Sequence, residues 1–429
     1  MSERATTHLY GSSCLTHCLS EPLHTFARRG GIAKCLVLAV FMLASYLVFV
    51  SVPVEDGLVT ADDMYFTKRD SHTKLILFAD FPDYYEIESR QGVNGLAHCN
   101  AKSPSGRPMR CEITVNKGSF PQADAVLFYS HGKTHMSQLG FEPEKQPGQT
   151  WTFFAVESPV HSKNSLFNDA AFHDKFNSTM GYRTDSEFWH GYIRSQKRDS
   201  PLSTEDKHSE EAELRRIFRK KSKMAAMFVS NCEAPSRRDE YVRELQKHMS
   251  VDVYGRCGSM RCDDREACDK MLKDDYKFYL AFENSHCLDY VTEKLLKIMK
   301  SKSVVPVVRG GADYSRLFPE NSVVDTSQFS SPAHLAIHLK ELSENEDLWV
   351  QMFQWTWQWE VHGPDLPFCQ YCHHLFSDQR SSHLYHNVYQ WWAKDTCYPI
   401  KDLPPKRTRG ADQRGVLASF IDKIEEIFR

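Results

Sequence analysis

A short polar segment in the second half of the chain, residues 283–290, has the position and the residue types that suit phosphate binding. The apolar run 278–282 before it predicts a buried strand, and residues 291–300 after it predict a helix with one apolar face. The free N–H groups and the positive dipole end of such a helix favour an anion. Lys294 lies in the first turn, where the dipole disfavours a lysine, so a nearby anion would explain it. The alternative is an ordinary surface lysine.

Strands and helices alternate around this segment. Helices are predicted at 236–248, with Ser236 as the N-cap, and at 291–300. Strands are predicted from short apolar runs at 75–78, 125–129 and 152–156 in the first half, and at 227–229, 251–254, 278–282 and 304–308 in the second half. This alternation predicts an α/β fold with doubly wound parallel sheets, which bind ligands at the carboxyl ends of their strands. The charged stretch 203–223 predicts a domain boundary, and a solvated helix is the alternative for its basic part.

Length and composition exclude several classes of protein. The chain has 429 residues, which is enough for about two domains. With 53 Lys and Arg against 56 Asp and Glu, it lacks the basic excess that nucleic-acid binding needs. It contains neither a P-loop nor a Gly-rich dinucleotide fingerprint. The nearest approach to an Asp-x-Asp pair is Asp185-Ser-Glu187, so we expect no metal-bound diphosphate site of that kind.

Residues 35–52 form an uncharged apolar run that is long enough to span a bilayer. Lysine and arginine precede the run and acidic residues follow it, which places the short N-terminus in the cytosol. A cleaved signal peptide is the alternative, but 34 residues precede the run and no A-x-A-like site follows it. We therefore expect a cytoplasmic tail at 1–34, a single-pass anchor at 35–52 and a stem at 53–73, with the remainder of the chain in a lumen.

The cysteines agree with an oxidising compartment, since an even number follows the start of the anchor. Cys99 and Cys111 have no close partner on their side of the chain, so we expect them to pair with Cys369 and Cys372. The alternative for Cys369, Cys372 and the two histidines that follow is a zinc site of a secreted enzyme, but no second C-x-x-C pair exists. The other disulfide candidates are Cys232, Cys257, Cys262, Cys268, Cys287 and Cys397.

Several separated motifs resemble those of the α1,3-fucosyltransferase family. The stretch 276–308 is similar to the family signature, with Tyr276-Lys-Phe-Tyr-Leu-Ala-Phe-Glu-Asn-Ser285, Asp289-Tyr-Val-Thr-Glu-Lys-Leu295 and Val305-Pro-Val-Val308. Glu157-Ser-Pro159 and residues 176–186 resemble the first and second motifs of the family. Val251-Asp-Val-Tyr-Gly-Arg256 resembles the start of its donor domain, and the resemblance extends over about residues 75–375.

The resemblance implies the GT-B architecture, in which two Rossmann-like domains face each other across a cleft. It places an acceptor-side domain at 74–215, a GDP-fucose-binding domain at 222–365 and a C-terminal segment at 366–429 that packs back on the first domain through its CxxC. It also implies a type II glycoprotein of the Golgi membrane that uses GDP-fucose as donor and N-glycans on glycoproteins as acceptors, with no nucleic-acid partner. No bound metal is required, and stimulation by Mn²⁺ or Mg²⁺ is left open.

Residue roles follow from the positions that match the family motifs. Glu157 matches the base that removes the proton of the acceptor hydroxyl; without the resemblance it would be read as an ordinary loop carboxylate. Lys294 matches the phosphate lysine, and Arg238 best matches the phosphate arginine, with Arg237 as the neighbouring alternative.

The remaining site residues are also assigned by the resemblance. Glu293 should face the ribose or the fucose ring, and Asn284 and Tyr290 match positions that line the donor. Asn177-Ser-Thr179 is the only glycosylation sequon, and Asn177 could be structural as well as glycosylated because it lies within the second motif.

The acceptor is indicated by the cysteine-bearing forms of the motifs. Ser230-Asn-Cys232 and Asn284-Ser-His-Cys287 resemble the plant and invertebrate branch, which fucosylates the innermost (core) GlcNAc of N-glycans. This favours the core acceptor over antennal GlcNAc of the Lewis-x or LacdiNAc type. A competing hypothesis of another class is a non-catalytic, membrane-anchored protein that binds glycans or nucleotides, against which the intact site residues argue.

Overall fold

The structure, a computed structural model, describes residues 72–79, 96, 99, 106, 108–130, 136–162, 165–364, 367–377 and 383–404. All of them belong to one compact unit, Asp70–Arg429. The predicted tail and anchor, and nearly all of the stem, lie outside these residues. Within the described part of the chain, no helix has the length and apolarity needed to cross a membrane.

The first half forms a six-stranded parallel sheet with the order β2-β1-β3-β4-β5-β6. Its strands are β1 (Thr73–Ala79), β2 (Arg110–Thr114), β3 (Ala125–Tyr129), β4 (Thr150–Ala155), β5 (Ser178–Gly181) and β6 (Phe188–Trp189). Aromatic side chains on β3 and β4 pack with Phe172 and Phe176 in the buried core on one face. The described connections between these strands contain short 3₁₀ turns rather than α-helices: Lys117–Gln122, Met136–Leu139, Pro159–Ser162, Leu166–Asn168 and Ala170–Phe172.

The second half forms a five-stranded parallel sheet with the order β12-β11-β10-β8-β9. Its strands are β8 (Lys223–Phe228), β9 (Val251–Tyr254), β10 (Tyr276–Phe282), β11 (Val305–Arg309) and β12 (Val324–Asp325). A separate antiparallel pair consists of β7 (Arg194–Lys197) and β13 (Trp359–His362). The α-helices from the first sheet to β13 are α1 (Thr204–Lys220), α2 (Arg238–Leu245), α3 (Arg265–Asp275), α4 (Glu293–Ser301), α5 (Tyr314–Leu317), α6 (Pro332–Glu344) and α7 (Glu346–Gln351).

Two local predictions require correction. The first domain was expected to extend to residue 215, but α1 packs with the second sheet, because Leu214 is buried in that core and Arg215 binds Glu346 of α7. Ser236 is not the N-cap of α2: the helix begins at Arg238, and the Ser236 hydroxyl donates to the backbone oxygen of Glu283. Leu214, Arg215 and Ser236 therefore all contribute to the second domain through tertiary contacts.

The last described residues, 367–377 and 383–404, contribute to both halves. Helices α8 (Phe368–Phe376) and α9 (Val388–Ala393) pack on the first sheet, each in a different core cluster. Leu403 is instead buried in the core of the second sheet. Asp402 accepts from Arg309 Nε at 2.7 Å and Nη2 at 2.8 Å. The predicted C-terminal segment thus packs on the first domain through its helices and on the second domain through its last described residues.

The described cysteines form five disulfides. Cys99–Cys369 and Cys111–Cys372 are the two pairs expected from the sequence. A zinc site at Cys369 and Cys372 is therefore wrong, because a disulfide sulfur has no thiolate to offer a metal. The remaining pairs are Cys232–Cys257, Cys262–Cys268 and Cys287–Cys397.

The two disulfides at α8 join the same two segments, so their effects on stability should be coupled. When either is removed, with both cysteines replaced by alanine, the other still ties the segments together. Only a ring of about 15 residues is then opened, which costs about 3 kcal/mol by chain entropy. Removing both disulfides also opens the long loop, which has a sequence separation of 261. The free energy of unfolding should then fall by roughly 8 kcal/mol in total. Urea unfolding of the three variants should give a loss for the double removal that exceeds the sum of the single losses.

The Cys262–Cys268 pair provides the control, since its sequence separation is only 6. Replacing that pair by alanine should cost about 2 kcal/mol, and its loss should add to the loss of either α8 disulfide. Strictly additive losses for the two α8 disulfides would contradict the proposed coupling.

Candidate functional site

The strand order of the second sheet predicts where a ligand binds. From β8 the chain moves to β9 on one side and then returns to β10 on the other side, so the order reverses between β8 and β10. Ligands of doubly wound sheets bind outside the carboxyl ends of strands at such a point. A cavity of about 360 Å³ lies there, lined by Val229–Asn231 after β8 and Asn284 after β10. We call it the donor cavity.

The first domain supplies the facing wall of the donor cavity. Glu157 follows β4, and Tyr192 reaches the same strand end by donating its hydroxyl hydrogen to the Val156 carbonyl at 2.9 Å. Both side chains line the cavity together with Lys294. The structure therefore brings Glu157 and Lys294 into one shared crevice, although they are far apart in sequence.

Arg238 is held in the donor cavity by backbone groups. Its side chain starts from the first residue of α2 and donates to the carbonyls of Phe282 at 2.9 Å and Asn231 at 3.1 Å. The residue is only 3% exposed, and its Nε has no partner among the described residues. Burial lowers the pKa of Arg238 below its ordinary value. A fixed, buried cation with one unused donor is suited to an anionic ligand.

Lys294 is positioned by Glu283, a buried carboxylate at the end of β10. Glu283 accepts from the Thr292 N–H at 2.8 Å and from Lys294 Nζ at 3.2 Å. Burial alone would lower the pKa of Lys294, but the carboxylates of Glu283 and Glu293 outweigh it and hold that pKa above its ordinary value. Burial raises the pKa of Glu283, an effect that Lys294 opposes. Lys294 therefore stays charged at the first turn of α4.

Hydrogen bonds across the cleft fix the facing carboxylate. The Tyr290 hydroxyl donates to Glu157 Oε1, and burial, together with the Glu157 charge, raises the pKa of Tyr290. One residue further on, the Ser158 hydroxyl donates to the Ser285 hydroxyl at 2.8 Å. The Ser285 hydroxyl in turn donates to Asn284 Oδ1 at 2.9 Å. The base candidate and the donor-lining residues thus belong to one hydrogen-bonded arrangement.

Glu293 and Arg237 differ in their relation to the cavity. Glu293 lines it with a largely exposed side chain and lies 3.4 Å from Lys294 Nζ. Arg237 does not line it; it has a left-handed backbone (φ 53°) and pairs with Glu240 at 2.6 Å. Between the two neighbouring arginines, the geometry therefore favours Arg238 as the anion ligand.

Asn177 lies away from the donor cavity and has a structural role. Its Oδ1 accepts from the Trp151 N–H at 3.0 Å and from Lys145 Nζ at 2.5 Å. The sequon hydroxyl of Thr179 donates to Glu187. Asn177 therefore joins β4 to the start of β5 through its side-chain oxygen.

Sequence reasoning overlooked Glu283, Thr292 and Tyr192, which all contribute to this site. Glu283 had a usable signal, since an acidic residue directly after an apolar strand must either be solvated or find a partner. Tyr192 had none, because it reaches the site only through the packing of the first sheet.

The arrangement can stabilise charge on one wall and take a proton on the other. Arg238, Lys294 and the N-terminus of α4 suit a diphosphate, and the facing Glu157 can accept a proton from a hydroxyl group. Within the described ranges, no group of three or more His, Cys, Asp and Glu residues is placed to hold a metal ion.

Two protein-family models match the chain. The model described as "Fucosyltransferase, N-terminal" matches residues 32–193, and "Glycosyltransferase family 10 (fucosyltransferase) C-term" matches residues 218–391. The first match contains Glu157, and the second contains Arg238 and Lys294.

Characterised relatives are similar over much of the chain. It is 35% identical over 300 residues to alpha-(1,3)-fucosyltransferase C of Drosophila melanogaster, covering 66% of this chain and 69% of that protein. It is 33% identical over 314 residues to glycoprotein 3-alpha-L-fucosyltransferase A of Drosophila melanogaster, covering 70% of this chain and 59% of that protein. It is 34% identical over 277 residues to the 3-galactosyl-N-acetylglucosaminide 4-alpha-L-fucosyltransferase of Bos taurus, covering 63% of this chain and 71% of that protein. A solved "alpha1,3-Fucosyltransferase with GDP-fucose" matches with a TM-score of 0.41 and 18% identity, over 73% of this chain and 94% of that chain.

The segment beside the donor cavity should make stability depend on pH. Burial, reinforced by the charge of Arg309, lowers the pKa of His286 to about 4, whereas an unfolded histidine titrates near 6.5. Between these values the unfolded chain binds the extra proton, so stability falls as the pH decreases, by up to about 1.4 kcal/mol per pH unit. Urea unfolding from pH 7 to pH 4.5 should show this dependence, and His286→Leu should reduce it.

His248 provides the control, because its side chain is exposed to water and does not line the donor cavity. His248→Leu should keep the pH dependence of the unmodified protein. If His286→Leu kept it as well, the buried neutral state of His286 would be refuted.

Proposed function

The chain belongs to glycosyltransferase family 10, the fucosyltransferases, and we propose that it transfers L-fucose from GDP-fucose to the 3-hydroxyl of a GlcNAc residue in N-glycans. The observation that carries the proposal is the donor cavity, with Arg238 and Lys294 on one wall and Glu157 on the other. A protein that only binds glycans or nucleotides would not need a carboxylate, Glu157, that faces the phosphate-binding side chains of Arg238 and Lys294.

The proposed reaction proceeds by direct displacement with inversion at the fucose carbon. Glu157 takes the proton of the attacking hydroxyl, and Tyr290 holds its carboxylate in place through the hydrogen bond to Oε1. As the bond to GDP breaks, negative charge grows on the diphosphate. Lys294, Arg238 and the N–H groups at the start of α4 stabilise that charge. The exposed carboxylate of Glu293 faces the ribose or the fucose ring in this arrangement.

We favour the core GlcNAc of N-glycans as the acceptor. The support is the set of cysteines typical of the core-modifying branch, of which Cys232, Cys257 and Cys287 form disulfides in or beside the loops that line the donor cavity. Antennal GlcNAc is the alternative, and the name of the Bos taurus relative, which specifies a 3-galactosyl-N-acetylglucosaminide, keeps it open.

We further propose that the protein resides in the Golgi membrane with its catalytic part in the lumen. The support is the uncharged run at 35–52 with basic residues before it, together with five disulfides in the described part of the chain. Divalent cations could stimulate activity by binding the diphosphate of the donor rather than a dedicated protein site.

The test of the proposal offers GDP-fucose with two glycans, one ending in the core chitobiose and one presenting only a free lactosamine antenna. Release of GDP coupled to fucosylation of the chitobiose glycan supports the core assignment, and fucosylation of the antenna alone supports the alternative. Binding of GDP-fucose without a fucosylated product from either glycan would refute the proposed enzymatic activity. Parallel reactions with EDTA, Mn²⁺ or Mg²⁺ measure the effect of divalent cations.

Lys294→Ala should remove most of the activity. The variant leaves phosphate charge unpaired in the transition state and leaves Glu283 without its cation, so kcat/KM should fall by about 10²–10³-fold. Lys297→Ala is the matched control, because Lys297 lies one turn further along α4 and pairs with Asp269 outside the cavity. Steady-state kinetics with equal losses for the two variants would refute the role of Lys294.

Glu157→Gln should separate catalysis from donor binding. The amide oxygen can still accept from Tyr290, but it cannot take a proton, so kcat should fall by about 10²–10⁴-fold with an unchanged KM for GDP-fucose. Glu142→Gln, on an exposed loop residue before β4, is the control and should be fully active. A Glu157→Gln variant that kept a third or more of the wild-type kcat would eliminate Glu157 as the base.

A further inference from the structure

A second and larger cavity adjoins the donor cavity and has no part in the proposed chemistry. It has a volume of about 570 Å³, within the range of roughly 300–1,000 Å³ that is typical of small-ligand sites. Tyr192 lines both cavities, so the two are adjacent at this side chain. Because Tyr192 also bonds the carbonyl before Glu157, the second cavity begins beside the base. We call it the aromatic cavity.

Aromatic rings form much of the wall of this cavity. The partly exposed Trp189 and Trp359 line it, together with the buried Tyr182 and Phe318. The Trp189 ring is fixed, because its Nε1 donates to the Tyr182 carbonyl at 2.9 Å. The backbone of Gly191 also lies against this ring, and a Cβ at Gly191 would come within 2.2 Å of it. A held indole face of this kind can pack against the apolar C–H face of a sugar ring.

The charged groups of the aromatic cavity do not suit a diphosphate. Its cations, Arg194 and Arg316, are both exposed, unlike the buried Arg238 of the donor cavity. Arg316 Nη2 already donates to Asp289 Oδ1 at 2.9 Å. Asp289 Oδ2 also accepts from the Thr184 N–H at 3.0 Å, so the carboxylate is well compensated. Neutral, hydroxyl-rich ligands fit such paired groups better than phosphates do.

The aromatic cavity is positioned to meet a long acceptor. Its residues come from both domains: the segment after β5 supplies Thr184, and the segment before α4 supplies Asp289, next to Tyr290. The Tyr182 ring, which lines this cavity, lies 5.0 Å from the ring of Tyr290. The Tyr290 hydroxyl in turn donates to Glu157. The aromatic cavity is therefore one side chain, Tyr192, away from the position of a sugar that lies at Glu157.

We propose that the aromatic cavity is an acceptor subsite that binds sugar residues of the glycan beyond the GlcNAc that receives fucose. The proposal rests on the proposed function, since it takes the acceptor to be an oligosaccharide. Trp189 and Trp359 provide stacking surfaces, and the paired Asp289 and Arg316 provide hydrogen bonds to hydroxyl groups. The cavity selects acceptors by binding energy and leaves the transfer step to Glu157, Arg238 and Lys294.

The test fills the cavity without disturbing the fold. Ser315 is an exposed residue of α5 that lines the cavity, two positions after the N-cap residue Asp313. Ser315→Trp places a bulky side chain in the cavity, and Asp313 can still cap the helix. The matched control is Ser327→Trp: Ser327 is also exposed, does not line the cavity and follows the capping residue Asp325 by two positions.

Kinetics are measured with a complete biantennary N-glycan and with the methyl glycoside of GlcNAc as a one-sugar acceptor. For Ser315→Trp we expect KM for the full glycan to rise about 10-fold with kcat little changed, as for the loss of uniform binding. The KM for GDP-fucose and the kcat/KM for the methyl glycoside should stay within about twofold of wild type, and Ser327→Trp should match wild type throughout. An unchanged KM for the full glycan in a folded Ser315→Trp variant overturns the subsite.

Saturation-transfer NMR on the wild-type protein provides a second readout that does not depend on a variant. With the biantennary glycan and GDP present, protons of sugars beyond the accepting GlcNAc should receive saturation from the protein. If only the accepting sugar does so, the subsite is wrong even when transfer occurs. Failure of the proposed function is distinguishable, because the wild-type protein would then transfer fucose to neither acceptor.

Discussion

The buried carboxyl end of β10 is the constraint on which the rest of the site depends. Each group there holds a functional element: the Phe282 carbonyl accepts from Arg238, and the Glu283 carbonyl accepts from Ser236. The Glu283 carboxylate binds Thr292 and Lys294. Removing one partner of a buried ion pair typically costs about 3–5 kcal/mol, because the other charge is left uncompensated. The two cations of the donor cavity are therefore set by one strand end and cannot shift independently.

Contacts between the domains set the position of Glu157, the proposed base, relative to those cations. Tyr290 donates to Glu157, Ser158 donates to Ser285, and Thr184 donates to Asp289 at 2.6 Å through its hydroxyl. Most of the residues that form these bonds are buried, including Ser158, Ser285 and Tyr290. The last described residues add a second connection, since they pack on the first sheet through α8 and α9 and on the second sheet through Leu403. Such connections favour preorganisation, in which charged groups are in place before the transition state forms.

Local sequence patterns predicted the parts of the fold that are governed by local physics. Runs buried on both faces gave the strands, with 125–129 and 251–254 at their observed bounds. The signature around Lys294 led to one wall of the site, and Glu157 was placed by its resemblance to a family motif. Ser236 failed as a cap because its hydroxyl is bound to another element. The aromatic cavity was missed because its lining comes from separate segments of both domains, and no local period joins Trp189 to Trp359.

The division between the two cavities has a physical reason. The two cations of the donor cavity are bonded directly to Phe282 and Glu283 at the end of β10, so a change there alters the charges that we propose stabilise the transition state. The aromatic cavity is lined largely by residues from the segments that follow β5 and β11, and several of these residues are exposed. Binding energy from remote sugars can thus change the choice of acceptor without altering the groups that perform transfer. Tyr192 is the exception, because it belongs to both cavities and touches the strand end that carries Glu157.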